Sequence, residues 1–146
     1  MAVNSKINRN YVASIQDVKL IDIPKVHDDR GSLAVIEKAI IPFDIKRVYY
    51  LYDVPSDSYR GGHAHKEQES IIIALSGSFE AVVSDGKSQK RFMLNKPNQG
   101  LYIPTYIWRE IDNFSSGAVC LVLASTEFEE AEYIRNFIEF KDYKGL

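Results

Sequence analysis

The sequence predicts an all-β domain, a sandwich or small barrel of eight or more short strands followed by one short C-terminal helix. Three observations carry this expectation. Alternating or fully apolar runs recur with turn residues about every 8–12 positions. No helical periodicity of any length appears before residue 126. The 146 residues fit one domain of ordinary size, and 45% hydrophobic with 26% charged residues is average globular usage.

Each element has its own justification. Residues 17–23 (DVKLIDI) read as a first strand, closed by Pro24, which cannot donate to a ladder. His27 falls in the following VHDD turn as an exposed loop histidine. Residues 32–38 (SLAVIEK) follow Gly31 as a second strand, and Ile45 to Asp53 (IKRVYYLYD) form a third, aromatic and β-branched, in which Arg47 reads as a solvated strand residue. After the polar turn DVPSDSYRGG comes HAHKEQESIIIAL, which begins in alternation and ends in a buried apolar run. In SFEAVVSDG, Phe79, Ala81 and Val83 share one face, and Asp85-Gly86 is a hairpin turn returning into residues 88–94. KPNQG turns again, LYIP and IWREI follow, and after NFSSG the strand GAVCLVLAS completes the set. In EFEEAEYIRNFIEF, Phe128, Ala131, Ile134, Phe137 and Ile138 recur at three or four residues, and Thr126 with Glu129 makes a capping box. That predicts a helix packed on the sheets. Residues 1–16 are polar, a loose tail or an arm reaching another subunit, ahead of a single domain over 17–146.

Composition excludes several functions. Eighteen Lys plus Arg against 20 Asp plus Glu give a net charge of -2, which does not suit a general nucleic-acid or membrane-surface protein. One cysteine allows no internal disulfide and no cysteine-bound metal cluster; Cys120 lies in the apolar run 118–124 as a core residue. That run is too short to cross a bilayer, and MAVNSKINRN lacks the apolar segment of an export signal, so a cytoplasmic protein is expected.

Only three histidines are available for chemistry. His63 and His65, two apart on a predicted strand, point to the same face while Ala64 points away. Gly61-Gly62 permits tight backbone geometry before them, and Arg60 adds an anion donor. His63, His65 and Glu69 form H-x-H-x3-E, the start of a metal-binding pattern, but the final ligand position after Gly100 and Pro104 holds Arg109. A permanently charged guanidinium does not ligate a cation, so no metal is expected. Two imidazoles without a metal suit proton transfer beside a carbonyl, with Arg109 or another donor stabilising enolate charge.

In order, DDRGSLAVIE, IPFDIKRVYYLYDVP, YRGGHAHKEQE, LSGSFEAVVSDG, GLYIP with IWREIDNFSSGAVCLVLAS, and EAEYIRNF resemble the sugar 3,4-ketoisomerases of the WxcM-like cupin family, over roughly residues 17 to 140. The resemblance implies a jelly-roll cupin barrel with a short C-terminal helix, and a homodimer whose first strands cross to the partner's sheet. It implies isomerisation of dTDP-4-keto-6-deoxyglucose to the dTDP-3-keto-6-deoxy sugar by acid/base transfer between C3 and C4, in dTDP-amino-sugar biosynthesis, with no cofactor. On this resemblance His63 and His65 are catalytic, one abstracting the C3 proton and the other delivering a proton at C4 or polarising the sugar oxygens. His63 is favoured as the base, although the sequence does not separate the roles. Arg60 would hold the pyrophosphate, and Arg30 would lie near the sugar or phosphates. Arg109, Tyr102, Trp108 and Glu110 would line the pocket, with a core aromatic role as the alternative for Tyr102 and Trp108. The configuration produced at C4 would depend on the neighbourhood of Arg109 and Arg30. A related nucleotide-sugar epimerase, with Tyr49, Tyr50 or Tyr106 as acid, and a non-catalytic sugar-nucleotide-binding cupin are the alternatives.

Overall fold

The computed structural model describes residues 13–58 and 60–146. Ten strands form two antiparallel sheets around a shared core. Sheet I holds β1 (Lys19–Asp22), β9 (Gln99–Ile103), β6 (Ser70–Ser76), β11 (Val119–Ala124) and β4 (Arg47–Leu51), in that order. Sheet II holds β12 (Tyr133–Ile134), β5 (Arg60–His65), β10 (Trp108–Asp112), β7 (Phe79–Ser84) and β8 (Gln89–Leu94). A separate two-stranded ribbon pairs β2 (Lys25–Asp28) with β3 (Gly31–Ala34).

Neither large sheet closes, which corrects the expected jelly-roll cupin barrel. Sheet I ends at β1 and β4, and sheet II ends at β12 and β8, with no ladder joining these edges. The reason lies in HAHKEQESIIIAL. One run was expected there, but the chain turns at Lys66–Glu69, leaving β5 in sheet II and carrying β6 into sheet I. The result is a sandwich whose halves meet through side chains.

Alternation determines what fills the space between them. Phe79, Ala81 and Val83 point inward from β7 and are fully buried, as their spacing predicts, against Ile72 and Ala74 of β6, Leu101 and Ile103 of β9, and Cys120 and Val122 of β11. A second apolar layer lies outside sheet I. There Ile71, Ile73 and Leu123 meet Ile23 and Ile41, with Ile36, Ile40 and Phe43 packed over them. The Asp85-Gly86 turn forms as expected: Asp85 accepts from the amides of Lys87 and Ser88, and Gly86 adopts φ +94°.

Three local expectations change. Residues 26–28 of the VHDD segment belong to strand β2 and only Asp29 turns, because the amides and carbonyls of β2 pair with β3; His27 stays exposed and contacts Ser32 Oγ at 2.7 Å. The C-terminal helix, α1, spans Phe137–Tyr143 and begins after Asn136, whose side chain accepts from the Glu139 amide. Upstream, Glu130–Glu132 is a 3-10 turn and β12 is paired to β5, while Thr126 donates to Gln68 and caps nothing. Of the expected tail or arm at 1–16, residues 1–12 lie outside the described residues. Residues 13–16 are tied down: the Ile15 amide donates to Asp85, and Lys144 Nζ donates to the Ala13 carbonyl.

Candidate active site

β5 carries the site because its two faces do different work. Ala64 points outward and is fully buried beneath Tyr106, Trp108, Ile134 and Phe140, so α1 packs on that side. His63 and His65 point inward, toward sheet I. A bulge precedes them: Arg109 pairs with His63, but Glu110 pairs with Gly61 and Ile111 with Arg60, leaving Gly62 as the extra residue at φ +70°. Residues opposite one another in an antiparallel pair share a face. Arg60 therefore sits on the face of Ile111, the inner one; uninterrupted alternation would have turned it outward.

The histidines form a linked pair. His63 Nε2 lies 3.0 Å from His65 Nε2, with the rings edge-on at 4.7 Å between centroids. His65 is fully buried, and its Nδ1 lies 2.5 Å from Glu132 Oε1. The other oxygen of Glu132 accepts the amides of Glu67 and Gln68, at 3.2 and 3.3 Å. Tyr133 packs its ring on both imidazoles. Burial, reinforced by the guanidinium charges of Arg109, Arg47 and Arg135, holds the His65 imidazole far below its ordinary range, so the ring is neutral at rest.

Two guanidiniums lie on this inner face, and among the described residues no carboxylate is bonded to either. Arg109 is 4% exposed and donates to Ser70 Oγ and the Ile107 carbonyl. Arg47 donates to Gln68 Oε1 and the Tyr133 hydroxyl, and lies over the rings of Tyr49 and Phe128. Gln68 in turn donates to Ser70 Oγ, so neutral groups alone link the two cations. Both Nε–H groups are buried with no acceptor. Burial lowers Arg109 to about 10, which leaves it charged at neutral pH. Such a cluster favours an anion or a developing negative charge.

The residues expected around the histidines do not all gather there. Arg109 does, and Arg60 shares their face. Trp108 and Glu110 lie on the opposite face of β10, where Trp108 packs on Phe137 and Phe140 and its indole N–H reaches Glu110. Strand alternation makes this unavoidable: once Arg109 points inward, its two neighbours point out. Tyr102 stands on the outer face of sheet I with Ile71 and donates to Glu69 at 2.6 Å. Arg30 sits exposed at the ribbon turn, paired with Asp28 at 2.7 Å. Arg47 belongs to the site and is not a solvated strand residue, because odd positions of β4 face the core. Glu132 is the residue that sequence reasoning misses. A helix read through residues 127–140 places it in a charged solvent face, whereas Asn136 three residues before Glu139 marks the true helix start.

The H-x-H-x3-E spacing of His63, His65 and Glu69 raises the question of a metal. The residues here do not fit one: the sequence position of the last ligand holds Arg109, a cation that donates to Ser70 Oγ, and Glu69 accepts from Tyr102. Among the described residues no group of three or more His, Cys, Asp or Glu side chains could hold an ion.

Known proteins resemble this chain in sequence and fold. The family model described as "WxcM-like, C-terminal" (FdtA) matches residues 16–145. The TDP-4-oxo-6-deoxy-alpha-D-glucose-3,4-oxoisomerase of Aneurinibacillus thermoaerophilus is 43% identical over 126 residues, covering 86% of this chain and 91% of its own. A 3,4-ketoisomerase from Helicobacter canadensis superimposes with a TM-score of 0.86 at 48% identity, covering 88% of this chain and 98% of that one. A histidine-to-asparagine variant of the 3,4-ketoisomerase QdtA from Thermoanaerobacterium thermosaccharolyticum, in complex with TDP-4-keto-6-deoxyglucose, gives a TM-score of 0.86 at 42% identity, covering 88% and 94%. By matched length and identity alike, the chain belongs to the WxcM-like family of sugar 3,4-ketoisomerases.

Proposed function

We propose that the chain isomerises dTDP-4-keto-6-deoxyglucose to the dTDP-3-keto-6-deoxy sugar by acid/base transfer. The observation that carries this is the His63–His65 pair, its ring nitrogens 3.0 Å apart, facing two guanidiniums that bond no carboxylate. The C3 hydrogen beside a C4 ketone is acidic only if the resulting enediolate is stabilised. His63, half-buried where His65 is fully buried, removes that proton. The C3–H electron pair becomes the C3–C4 double bond, and the carbonyl pair moves onto O4. Arg109 and Arg47 offer Nε–H donors for that charge, an effect worth about 3–4 kcal/mol per donor in sites of this kind. O3 then yields its proton as O4 gains one, and protonation at C4 completes the 3-ketone. Arg60, turned inward by the Gly62 bulge, is assigned to the diphosphate.

A second copy of the chain is part of this reading. All eight residues of the β2–β3 ribbon are exposed, including Val26 and Leu33 at 61% and 62%. An isolated two-stranded ribbon is marginal in water, so apolar residues on it call for a covering surface. Exchange of this ribbon in a homodimer supplies one.

Incubation with the nucleotide sugar in deuterated water, followed by NMR, tests the function. A 3-keto product bearing deuterium or transferred hydrogen at C4 is expected. Exchange at C3 or C5 with the 4-ketone intact would make the protein an epimerase; tight binding without turnover would make it a binding module.

A further inference from the structure

We infer that Glu132 is a positioning residue that dictates the tautomer of His65 and thereby makes the two histidines a one-way proton relay at rest. The inference rests on the isomerase reading but reaches further, to a residue supplied by the C-terminal segment. A neutral imidazole carries one N–H, and a hydrogen bond at one nitrogen decides what the other can do. Glu132 Oε1 sits 2.5 Å from Nδ1 of His65, so the proton resides on Nδ1 and the lone pair on Nε2. That lone pair faces Nε2 of His63 at 3.0 Å. Two nitrogens at this distance need one proton between them, so His63 donates its Nε2–H to His65.

The consequence is directional. When His63 takes the C3 proton on its remaining nitrogen, its Nε2–H passes to Nε2 of His65. One C–H bond and one N–H bond break, and two N–H bonds form. The transfer moves the positive charge from His63 to His65, where the Glu132 carboxylate at 2.5 Å counters the burial and guanidinium charges that keep the resting ring neutral. The reverse transfer restores His63 as the donor for C4.

The anchoring of Glu132 explains why a carboxylate is needed and an amide would fail. Oε2 already accepts the amides of Glu67 and Gln68, so both oxygens face donors. A glutamine can present its oxygen to only one side. With oxygen toward the amides, its NH2 would donate to Nδ1 of His65, put the ring proton on Nε2, and set two donors against each other across the histidine pair. β12 fixes the placement, pairing Tyr133 with His65 and Ile134 with Ala64.

The test compares wild type, Glu132→Gln and Glu132→Asp, with histidine 15N labels and long-range 1H–15N correlation to read tautomers at neutral pH. Wild-type His65 is expected as Nδ1–H, and Glu132→Gln should move it to Nε2–H. In the same variant kcat should fall at least ~100-fold, the size of a general acid–base contribution, with KM nearly unchanged and part of kcat recovered by Glu132→Asp. The wild-type spectrum requires neither a folded variant nor turnover: an Nε2–H or doubly protonated His65 would overturn the inference by itself. So would a Glu132→Gln variant that keeps wild-type tautomer and kcat. Absence of turnover by the wild type, with the Nδ1–H tautomer present, would instead count against the isomerase reading alone.

Discussion

Gly62 offers a sharp perturbation because its conformation, not its size, sets the direction of Arg60. A Cβ at this position would lie 3.9 Å from Trp108 Cζ2, an ordinary contact, so Gly62→Ala introduces no clash. The penalty comes from φ +70°, where an L-residue costs about 1–2 kcal/mol more than glycine. The strand can carry that strain, or relieve it by returning to regular pairing, which would place Arg60 opposite Asp112 on the outer face. A lost charge-assisted bond to phosphate is worth about 1.5–3 kcal/mol, so the expected rise in KM is roughly 10- to 150-fold with kcat little changed. The strain should also lower Tm by about 3–6 °C. Deleting Gly62 provides the contrast. It removes the extra residue while keeping His63 opposite Arg109 and Arg60 opposite Ile111, so affinity should survive. Steady-state kinetics and calorimetric titration with TDP on both variants decide the matter. Equal KM values for Gly62→Ala and wild type, or equal losses in the substitution and the deletion, would refute the reasoning.

Other predictions follow from the same geometry. The depressed pKa of His65 means that the unfolded chain binds its proton more readily, so its contribution to stability is full above about pH 6.5 and declines as pH falls, by up to ~1.4 kcal/mol per pH unit. Denaturant titrations from pH 7 to 4.5 should show a flatter decline in His65→Asn; parallel slopes would contradict the assignment. Cys120 is fully buried and its thiol is pushed up to about 12, so it should resist a thiol reagent at pH 8 until denaturant is added, and rapid native labelling would be incompatible with this placement. Val26→Asp with Leu33→Asp should convert the proposed dimer to monomer by light scattering while leaving far-UV dichroism intact, and a persistent dimer would remove the ribbon from the interface.

Much of the strand order was legible because burial and period two coincide. Phe79, Ala81 and Val83 read as one face and are one face. The common face of His63 and His65 was legible for the same reason, and Arg109 lies opposite His63 on it. What failed had specific causes. Trp108, Arg109 and Glu110 were gathered into one pocket although adjacent strand residues cannot share a face. The barrel failed because period and propensity describe a strand, not which edge it pairs with, and the turn at Lys66–Glu69 divides one apparent run between two sheets. The helix was read about ten residues early because Phe128, Ala131 and Ile134 mimic helical spacing, while backbone pairing of Tyr133 and Ile134 with β5 outweighed that preference.

That misread segment explains why the site is rigid. Holding two imidazoles 3.0 Å apart at their ring nitrogens requires β5 to be fixed on every side, and a strand at the end of a sheet is ordinarily the least restrained. Residues 130–140 remove that freedom in three ways. β12 pairs with the outer edge of β5, so β5 becomes an interior strand. Phe140, fully buried, packs α1 with Ala64 and Trp108 on the outer face, a contact whose loss in Phe→Ala substitutions costs about 3–5 kcal/mol. Glu132 turns inward and holds Nδ1 of His65 at 2.5 Å. The bulge at Gly62 supplies what this clamp does not, a change of phase that lets Arg60 share a face with His63. Catalytic chemistry is thus assigned to the inner face of β5, while the stability that keeps it in place comes from the outer face and the edge. A substitution under α1 can therefore disturb proton transfer without touching any group that handles substrate.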